Sequence, residues 1–248
     1  MARLIAVCAA IAVTANAALL PRSTALADDG IGIEPTTVQI NAAHRIATVT
    51  VANHDPDTHT FQITPYSWSQ VGGQDKLEPT TDLLVSPPIF TLISEGQQIV
   101  RFALRNAAPV AGEIPFRISL RTAPTDTVAL DSGVQLRLGF SLPVFIASPQ
   151  GGAPKLTCSY RDVGRKRVRF TIENSGTAHV HVVHVRFSDA QGNPVDSPTT
   201  QYVLPGGSAT VSLPASRPVV GQTIDATITL DLGLGQGPIV KVVVQRAS

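Results

Sequence analysis

The amino-acid sequence predicts an all-β protein built from two tandem immunoglobulin-like β-sandwich domains. Its segments alternate apolar and polar residues with a period of two, they are rich in Val, Ile, Thr and Phe, and Gly, Pro, Asp and Asn separate them. These features are typical of short strands joined by turns. No segment of the mature chain shows convincing helical amphipathicity. Each half holds about seven predicted strands, which is the count of a small immunoglobulin-like sandwich.

The predicted strands are distributed over both halves of the chain. A turn is predicted at Val71-Gly72-Gly73-Gln74-Asp75, between two strands of the first half, because Gly and Asp favour turns. The strands of the first half are predicted at residues 36–41, 46–53, 59–69, 82–85, 97–105, 115–122 and 133–147. Those of the second half are predicted at residues 155–160, 166–173, 178–188, 199–204, 208–213, 223–231 and 238–245.

The N-terminus carries a secretory signal pattern. Arg3 supplies the positive charge, an apolar stretch runs from Leu4 to Leu20, and Ala25-Leu26-Ala27 is a small-x-small cleavage site. Residues 1–27 are therefore predicted to be a cleavable signal peptide that directs the chain to export. A membrane anchor is the alternative, but the apolar stretch is short and interrupted for a spanning helix of ~20 residues.

A segment rich in Pro and Gly divides the rest of the chain. Pro and Gly at the density of Ser148-Pro149-Gln150-Gly151-Gly152-Ala153-Pro154 prevent a strand from running through. The domains are therefore predicted at residues 28–148 and 149–248. No later segment is long and apolar enough to span a bilayer, so no membrane insertion is expected of the mature chain.

Charge and cysteine content narrow the function classes. Lys and Arg number 19 against 18 acidic residues. A nucleic-acid partner is not expected, because phosphate binding needs a clear basic excess. Cys8 lies in the signal, so Cys158 is left as the single cysteine and no intramolecular disulfide can form. We expect Cys158 to be a buried, inert thiol.

Three stretches of the first half carry distinctive motifs. The first begins at Tyr66-Ser67-Trp68-Ser69-Gln70, the second is Val85-Ser86-Pro87-Pro88-Ile89-Phe90-Thr91-Leu92, and the third runs from Leu136 to Phe145. In order and spacing they resemble the PapD-like periplasmic pilus-assembly chaperones, most closely the archaic chaperone–usher branch. The resemblance implies two domains set at an angle, with a cleft between them. It also implies a chaperone that binds, caps and stabilises pilus subunits and delivers them to an outer-membrane usher.

Two of these motifs have physical consequences of their own. Ser86-Pro87-Pro88 removes two backbone donors in a row, which predicts a sheet edge or a crossing between sheets. Trp68 stands in a predicted strand among polar residues, and we expect it in a core or between the domains.

The third motif contains the candidate binding strand. Its even positions are apolar, and strand geometry places them on one face. Alternation fits both the last strand of a self-contained sandwich and a strand lent to another protein. The resemblance implies the second, in which a subunit that lacks its own final strand accepts this one. The candidate donor residues are Val134, Leu136, Leu138 and Phe140.

The sequence departs from the family at the subunit's carboxylate anchor. The family holds the subunit's C-terminal carboxylate with an Arg in the first strand and a Lys near the end of the donor strand. Thr37 stands where the Arg is expected, and the Lys position falls within Ser141-Leu142-Pro143. An Arg fork elsewhere would suit a carboxylate. The candidate substitutes are Arg101, Arg105, Arg117, Arg121 and Arg137.

No catalytic or metal-binding constellation is recognised. His179 and His181 would share a strand face and His184 would lie on the other, so the third ligand of a metal site is missing. An exposed polar strand face is the favoured interpretation. Neither a nucleophile elbow nor a phosphate-binding Gly loop occurs. We therefore expect no enzyme and no cofactor.

Two other functions are compatible with a β-sandwich: a structural surface subunit and an enzyme. A secreted fimbrial or other structural surface subunit would show an alternating N-terminal extension after the signal. Residues 28–33 are too short for that, and the missing disulfide also disfavours it. An enzyme on a β-sandwich is the second alternative, and no residue constellation supports it.

Overall fold

The structure, a computed structural model, describes residues 30–106, 112–123, 138–164, 167–188, 194–214, 223–231 and 236–246. Throughout these ranges the chain is built of strands and loops and contains no helix. Consequently, no helix capable of crossing a membrane is found in the described ranges. The predicted all-β fold class is confirmed.

Two sheets form the N-terminal domain. One has the strand order β1-β3-β8-β6, and the other has the order β2-β10-β9-β4-β5 with β7 also paired to β4. The strands are β1 (Ile31–Glu34), β2 (Val38–Ile40), β3 (Ile46–Asn53), β4 (His59–Val71), β5 (Gln74–Pro79), β6 (Leu83–Ser86), β7 (Ile89–Leu92), β8 (Gln97–Leu104), β9 (Ile114–Thr122) and β10 (Gly139–Ile146).

Three of these strands were not predicted. They are β1, β5 and β7, and the predicted strand at residues 36–41 is reduced to β2. The predicted turn was too long by three residues, because Val71 still belongs to β4 and Gln74 and Asp75 already belong to β5. The turn itself is Gly72-Gly73, whose φ angles of 60° and 78° lie in the left-handed region that glycine favours.

The double proline lies at a crossing between the two sheets, one of the two places that the sequence predicted for it. β6 pairs with β8 in the first sheet, and β7 pairs with β4 in the second. The chain changes sheets at Ser86-Pro87-Pro88, and the Ser86–Pro87 peptide bond is cis. A residue without a backbone N–H is tolerated there because no ladder hydrogen bond is needed at the crossing.

The core of the N-terminal domain lies between its two sheets. Alternate residues point inward from each strand, as the period of two requires. Val100 and Phe102 of β8 are 0% and 1% exposed, and Phe116 and Ile118 of β9 are each 2% exposed. The packing of this core determines which faces of β9 and β10 point inward.

The C-terminal domain contains seven described strands, the number predicted. Their order is β14-β13-β16-β17-β11-β12-β15. Tyr160, Phe170 and Val182 belong to its buried core. The strands are β11 (Leu156–Gly164), β12 (Arg167–Asn174), β13 (Val180–Ser188), β14 (Pro194–Val203), β15 (Ser208–Pro214), β16 (Thr223–Asp231) and β17 (Gln236–Arg246).

Cys158 is half-buried on β11 and packs against this core. Burial raises the pKa of its thiol to about 11, and the negative charge of Glu173 adds to the shift. Because the reactive species is the thiolate, a thiol with this pKa is unreactive at neutral pH. The expectation of an inert thiol is supported.

Candidate functional site

An aromatic cluster joins the two domains. Trp68 of β4 and Phe145 of β10 come from the N-terminal domain, and Tyr202 of β14 comes from the C-terminal domain. The ring centroids of Trp68 and Tyr202 are 5.5 Å apart in an edge-to-face arrangement, and those of Trp68 and Phe145 are 5.9 Å apart. Trp68 is 3% exposed, so the expected place for this residue between the domains is confirmed.

The side chain of Gln70 ties the domains together beside this cluster. Its Nε2 donates a hydrogen bond of 2.8 Å to the carbonyl oxygen of Tyr202. Its Oε1 accepts a hydrogen bond of 3.0 Å from the backbone N–H of Leu204. One amide therefore satisfies two backbone groups of the other domain, which fixes Tyr202 against β4.

A second contact between the domains involves Glu113 and His179. Glu113 Oε1 lies 2.7 Å from His179 Nδ1 and also accepts from the His179 backbone N–H at 3.1 Å. The His179 ring stacks on Phe145 with centroids 3.5 Å apart. The Asn174 side chain orients this segment by donating to the carbonyl oxygens of Ala178 and Val203.

The two histidines share a face, as predicted, but that face is not an exposed polar one. The His179 side chain is 16% exposed, and the His181 ring stacks on Tyr202 with centroids 4.2 Å apart. The interpretation as a solvated face was wrong because Phe145 of the N-terminal domain covers the His179 ring and Tyr202 of the neighbouring strand covers the His181 ring. His184 is exposed and follows a β-bulge in β13. No group of three metal-ligating side chains occurs among the described residues.

A cleft of about 570 Å³ opens between the domains next to these contacts. Thr37, which stands where the family's Arg is expected, and Ser141, which belongs to the stretch that includes the expected Lys position, both line the cleft. Here they offer hydroxyl groups and no charge. The other lining residues include Thr36, Gln39, Arg117, Pro143, His181 and Thr200.

Arg117 of β9 supplies the cationic group of this cleft. Its guanidinium carbon lies 3.9 Å above the Trp68 ring, and its Nη1 donates a long hydrogen bond of 3.4 Å to Ser141 Oγ. Its nearest carboxylate oxygen, Asp75 Oδ2, is 3.9 Å from Nη2. The buried Nε has no hydrogen-bond partner among the described residues.

The charge of Arg117 is therefore poorly matched by its own protein. Its side chain is 18% exposed. Burial lowers the pKa of the guanidinium, and the nearby Asp75 and Tyr202 oppose the shift. Arginine nevertheless stays protonated at neutral pH. A buried cation with an unused N–H donor is suited to an anion, and the planar fork of Arg117 matches the geometry of a carboxylate.

The other candidate arginines lie elsewhere. Arg101 is exposed on the outer face of the β1-β3-β8-β6 sheet. Arg105 Nε donates to the carbonyl oxygen of Thr81, and Arg121 Nε donates to Ser119 Oγ outside the cleft. Arg137 lies outside the described residues. Of the candidates that the structure describes, Arg117 alone lines the cleft.

One edge of β10 is open over half its length. β10 pairs with β9 from Gly139 to Ile146, but β2 covers its other edge only from Val144 to Ile146. In the described ranges no strand pairs with that edge between Gly139 and Pro143.

Two hydrogen bonds show which backbone groups of β10 point towards this open edge. Thr122 N–H donates to the Leu138 carbonyl oxygen, so even residues bond to β9, and Ala147 N–H donates to the Ile40 carbonyl oxygen on the β2 side. Strand geometry alternates these directions. Gly139 and Ser141 therefore point their N–H and C=O groups at the open edge, and this edge leads into the cleft at Ser141.

The side chains of β10 pass from buried to half-buried towards its start. Leu142, Val144 and Ile146 are 5%, 0% and 6% exposed within the N-terminal core. Leu138 and Phe140 continue the same face but are only half-buried. The candidate donor residues Val134 and Leu136 lie outside the described residues.

A comparison with known protein families identifies the family of this chain. The family described as pili and flagellar-assembly chaperone, PapD N-terminal domain, matches residues 30–152. The chain belongs to the PapD-like pilus-assembly chaperones. The resemblance inferred from the sequence motifs is confirmed. Among curated proteins, no relative matches the chain.

Solved structures of PapD-like chaperones share its fold. A chain in the crystal structure of the CsuC–CsuE chaperone–tip adhesion subunit pre-assembly complex, from archaic chaperone–usher Csu pili of Acinetobacter baumannii, matches with a TM-score of 0.65 and 16% identity. That match covers 88% of this chain and 99% of the other.

Two further structures agree with the first. The Salmonella enterica complex of SafA pilin with the SafB chaperone matches with a TM-score of 0.59 and 19% identity, over 87% of this chain and 96% of that one. The crystal structure of the Pseudomonas aeruginosa CupB2 chaperone matches with a TM-score of 0.56 and 14% identity. That match covers 87% of this chain and 100% of the other. At these identities the likeness establishes the fold, which in PapD-like chaperones comprises two immunoglobulin-like domains.

Proposed function

We propose that this PapD-like chain is a periplasmic chaperone that captures pilus subunits by strand donation and delivers them to an outer-membrane usher. The observation that carries the proposal is the open edge of β10, which leads into a cleft holding Arg117. An edge of unpaired N–H and C=O groups is a template for another strand. The family to which the chain belongs is one of assembly chaperones.

The main chain of β10 forms the first part of the binding surface. A subunit strand laid along Gly139–Pro143 satisfies the backbone groups of Gly139 and Ser141. Pro143 has no N–H to offer, so pairing weakens where β2 takes over the edge. Main-chain bonds of this kind supply affinity for a wide range of sequences.

The side chains before the core form the second part. The apolar face that is buried from Leu142 onward continues in the half-buried Phe140 and Leu138. In the sequence, the same alternation also includes Leu136 and Val134. Four such side chains buried in a subunit's groove contribute roughly 6–12 kcal/mol before association costs are subtracted. The net affinity then permits a later transfer of the subunit, which its own folding free energy drives without a nucleotide.

Arg117 forms the third part as the carboxylate anchor. A subunit whose terminal carboxylate enters the cleft meets the Arg117 guanidinium, with the hydroxyls of Thr37 and Ser141 on the same wall. The family holds the carboxylate with an Arg where Thr37 stands here and a Lys within the stretch Ser141-Leu142-Pro143, and we assign the role of this pair to Arg117. In this assignment the cation comes from β9, not from the first strand or the donor strand.

Hydrogen–deuterium exchange tests strand donation at single residues. When a pilus subunit lacking its final strand is bound, the amides of Gly139 and Ser141 are expected to exchange at least tenfold more slowly. They point to the open edge and gain partners there. The Leu142 amide already bonds to β9 and serves as the internal control, with little change. Protection spread over β5 or β6, with Gly139 and Ser141 unchanged, would place the subunit on another edge.

We also propose that residues 1–27 are an export signal and that the chain divides into two domains near residue 148. Cleavage after Ala27 would release the mature chain into the periplasm, and the strand-free residues 147–155 would link the domains. Intact-mass analysis of the exported protein is expected to give Asp28 as the first residue. Brief protease treatment is expected to cut first within residues 148–154. Retention of residues 1–27 on the exported protein, or first cuts within β8 or β9, would contradict these divisions.

A further inference from the structure

Asp75 is a carboxylate held next to the Arg117 guanidinium. It stands on β5 directly across from Gln70 of β4. Gln70 Nε2 donates a hydrogen bond of 3.0 Å to Asp75 Oδ1. The other oxygen, Oδ2, lies 3.9 Å from Arg117 Nη2. Gln70 thus orients Asp75 so that its free oxygen faces the candidate anchor.

We propose that Asp75 is an internal competitor that a bound carboxylate must displace from Arg117. This inference rests on the proposed anchoring role of Arg117. In the unliganded protein, Asp75 offsets part of the unfavourable burial of the guanidinium charge. When a ligand carboxylate enters, one counter-charge is exchanged for another, and the affinity is lower than Arg117 alone would give.

The geometry makes Asp75 a weak competitor. At 3.9 Å the contact is an ion pair without a short hydrogen bond, and the Asp75 side chain is 45% exposed. Because the Asp75 carboxylate is partly exposed, water screens its attraction to Arg117 and the pair contributes little. An incoming carboxylate that forms two short bonds to the fork displaces Asp75, which returns to water. Asp75 therefore tunes ligand affinity without blocking the site.

Gln70 connects this competition to the arrangement of the domains. The Nε2 that donates to Asp75 also donates to the Tyr202 carbonyl oxygen. Asp75 is consequently positioned relative to both walls of the cleft. The substitution Asp75→Asn removes the charge and keeps an oxygen that accepts from Gln70, so this positioning survives in the test variant.

Trp68 provides the signal for the experiment. It is the single tryptophan of the sequence, and the Arg117 guanidinium lies 3.9 Å above its ring. The probe is N-acetylglycine, titrated at constant ionic strength and followed by Trp68 fluorescence. N-acetylglycinamide, which has no carboxylate, reports the background. We expect Asp75→Asn to bind N-acetylglycine about three- to fivefold more tightly than the wild-type protein.

The matched control is Glu78→Gln on the same strand. Glu78 Oε1 lies 3.0 Å from Lys76 Nζ. The substitution Glu78→Gln changes the net charge by the same amount as Asp75→Asn. We expect its affinity to stay within about 1.5-fold of wild type, with both variants melting near the wild-type temperature. Equal affinities of Asp75→Asn and Glu78→Gln would overturn the inference while leaving the anchor intact. If wild type and Asp75→Asn bind the acid no better than the amide, the anchoring role of Arg117 is itself wrong.

Discussion

Replacing Arg117 by methionine is expected to reduce capture of a pilus subunit by at least about 100-fold. Two charge-assisted hydrogen bonds to a carboxylate contribute roughly 1.5–3 kcal/mol each, and about 1.4 kcal/mol corresponds to a tenfold change in affinity. Methionine retains a long apolar stem against the Trp68 ring. Subunit binding is measured by titration, using one subunit with a free C-terminus and one with an amidated C-terminus.

The amidated subunit makes the test specific. Wild-type chaperone is expected to prefer the free carboxylate strongly, and Arg117→Met is expected to bind both forms with equal, low affinity. Stability provides a second check. Replacing a poorly paired buried charge by an apolar side chain is neutral or stabilising, so the melting temperature should not fall. A variant that loses the subunit but melts normally has lost the anchor and has kept the fold.

Arg101→Met is the matched control for this prediction. It makes the same change in net charge on the exposed outer face of the other sheet. We expect it to bind the subunit like wild type. If Arg101→Met or Arg121→Met removes the carboxylate preference and Arg117→Met preserves it, the carboxylate is held outside the cleft.

Leu136→Ala and Leu138→Ala are each expected to weaken subunit binding by about 30-fold or more, with little change in melting temperature. Removing a large apolar side chain from a filled groove costs about 2–5 kcal/mol. Leu138 is only half-buried in the chaperone itself, so its own domain loses little when the side chain is shortened. Binding is scored by co-purification of the subunit and by titration.

Leu142→Ala is the contrasting variant on the same face of the same segment. Leu142 is 5% exposed in the N-terminal core. Its truncation is expected to lower the free energy of unfolding by about 2–5 kcal/mol. If Leu138→Ala melts as early as Leu142→Ala and still holds the subunit once folded, the strand serves only its own core and donation is refuted.

The alternation of apolar residues predicted most of the strands because it records which side chains are buried. It located β3, β8 and β9 closely and all seven strands of the C-terminal domain. β5 was missed for the same physical reason. All of its residues from Gln74 to Pro79 are exposed, so no side-chain pattern marks it. Backbone pairing with β4 holds it in place, and backbone pairing leaves no trace in the order of side chains.

The sequence alone indicated the family, an edge or a sheet crossing at the double proline, and the apolar face of β10, because each of these is written in one contiguous stretch. The choice of Arg117 among the four candidate arginines that the structure describes could not be made from the sequence. The sheet register sets Arg117 between Tyr66 of β4 and Pro143 of β10, and domain packing brings Tyr202 to the same place. Gln70 and Tyr202 are separated by 132 positions. A contact over that distance is decided by how two folded domains pack, so only the tertiary structure reveals which charge faces the cleft.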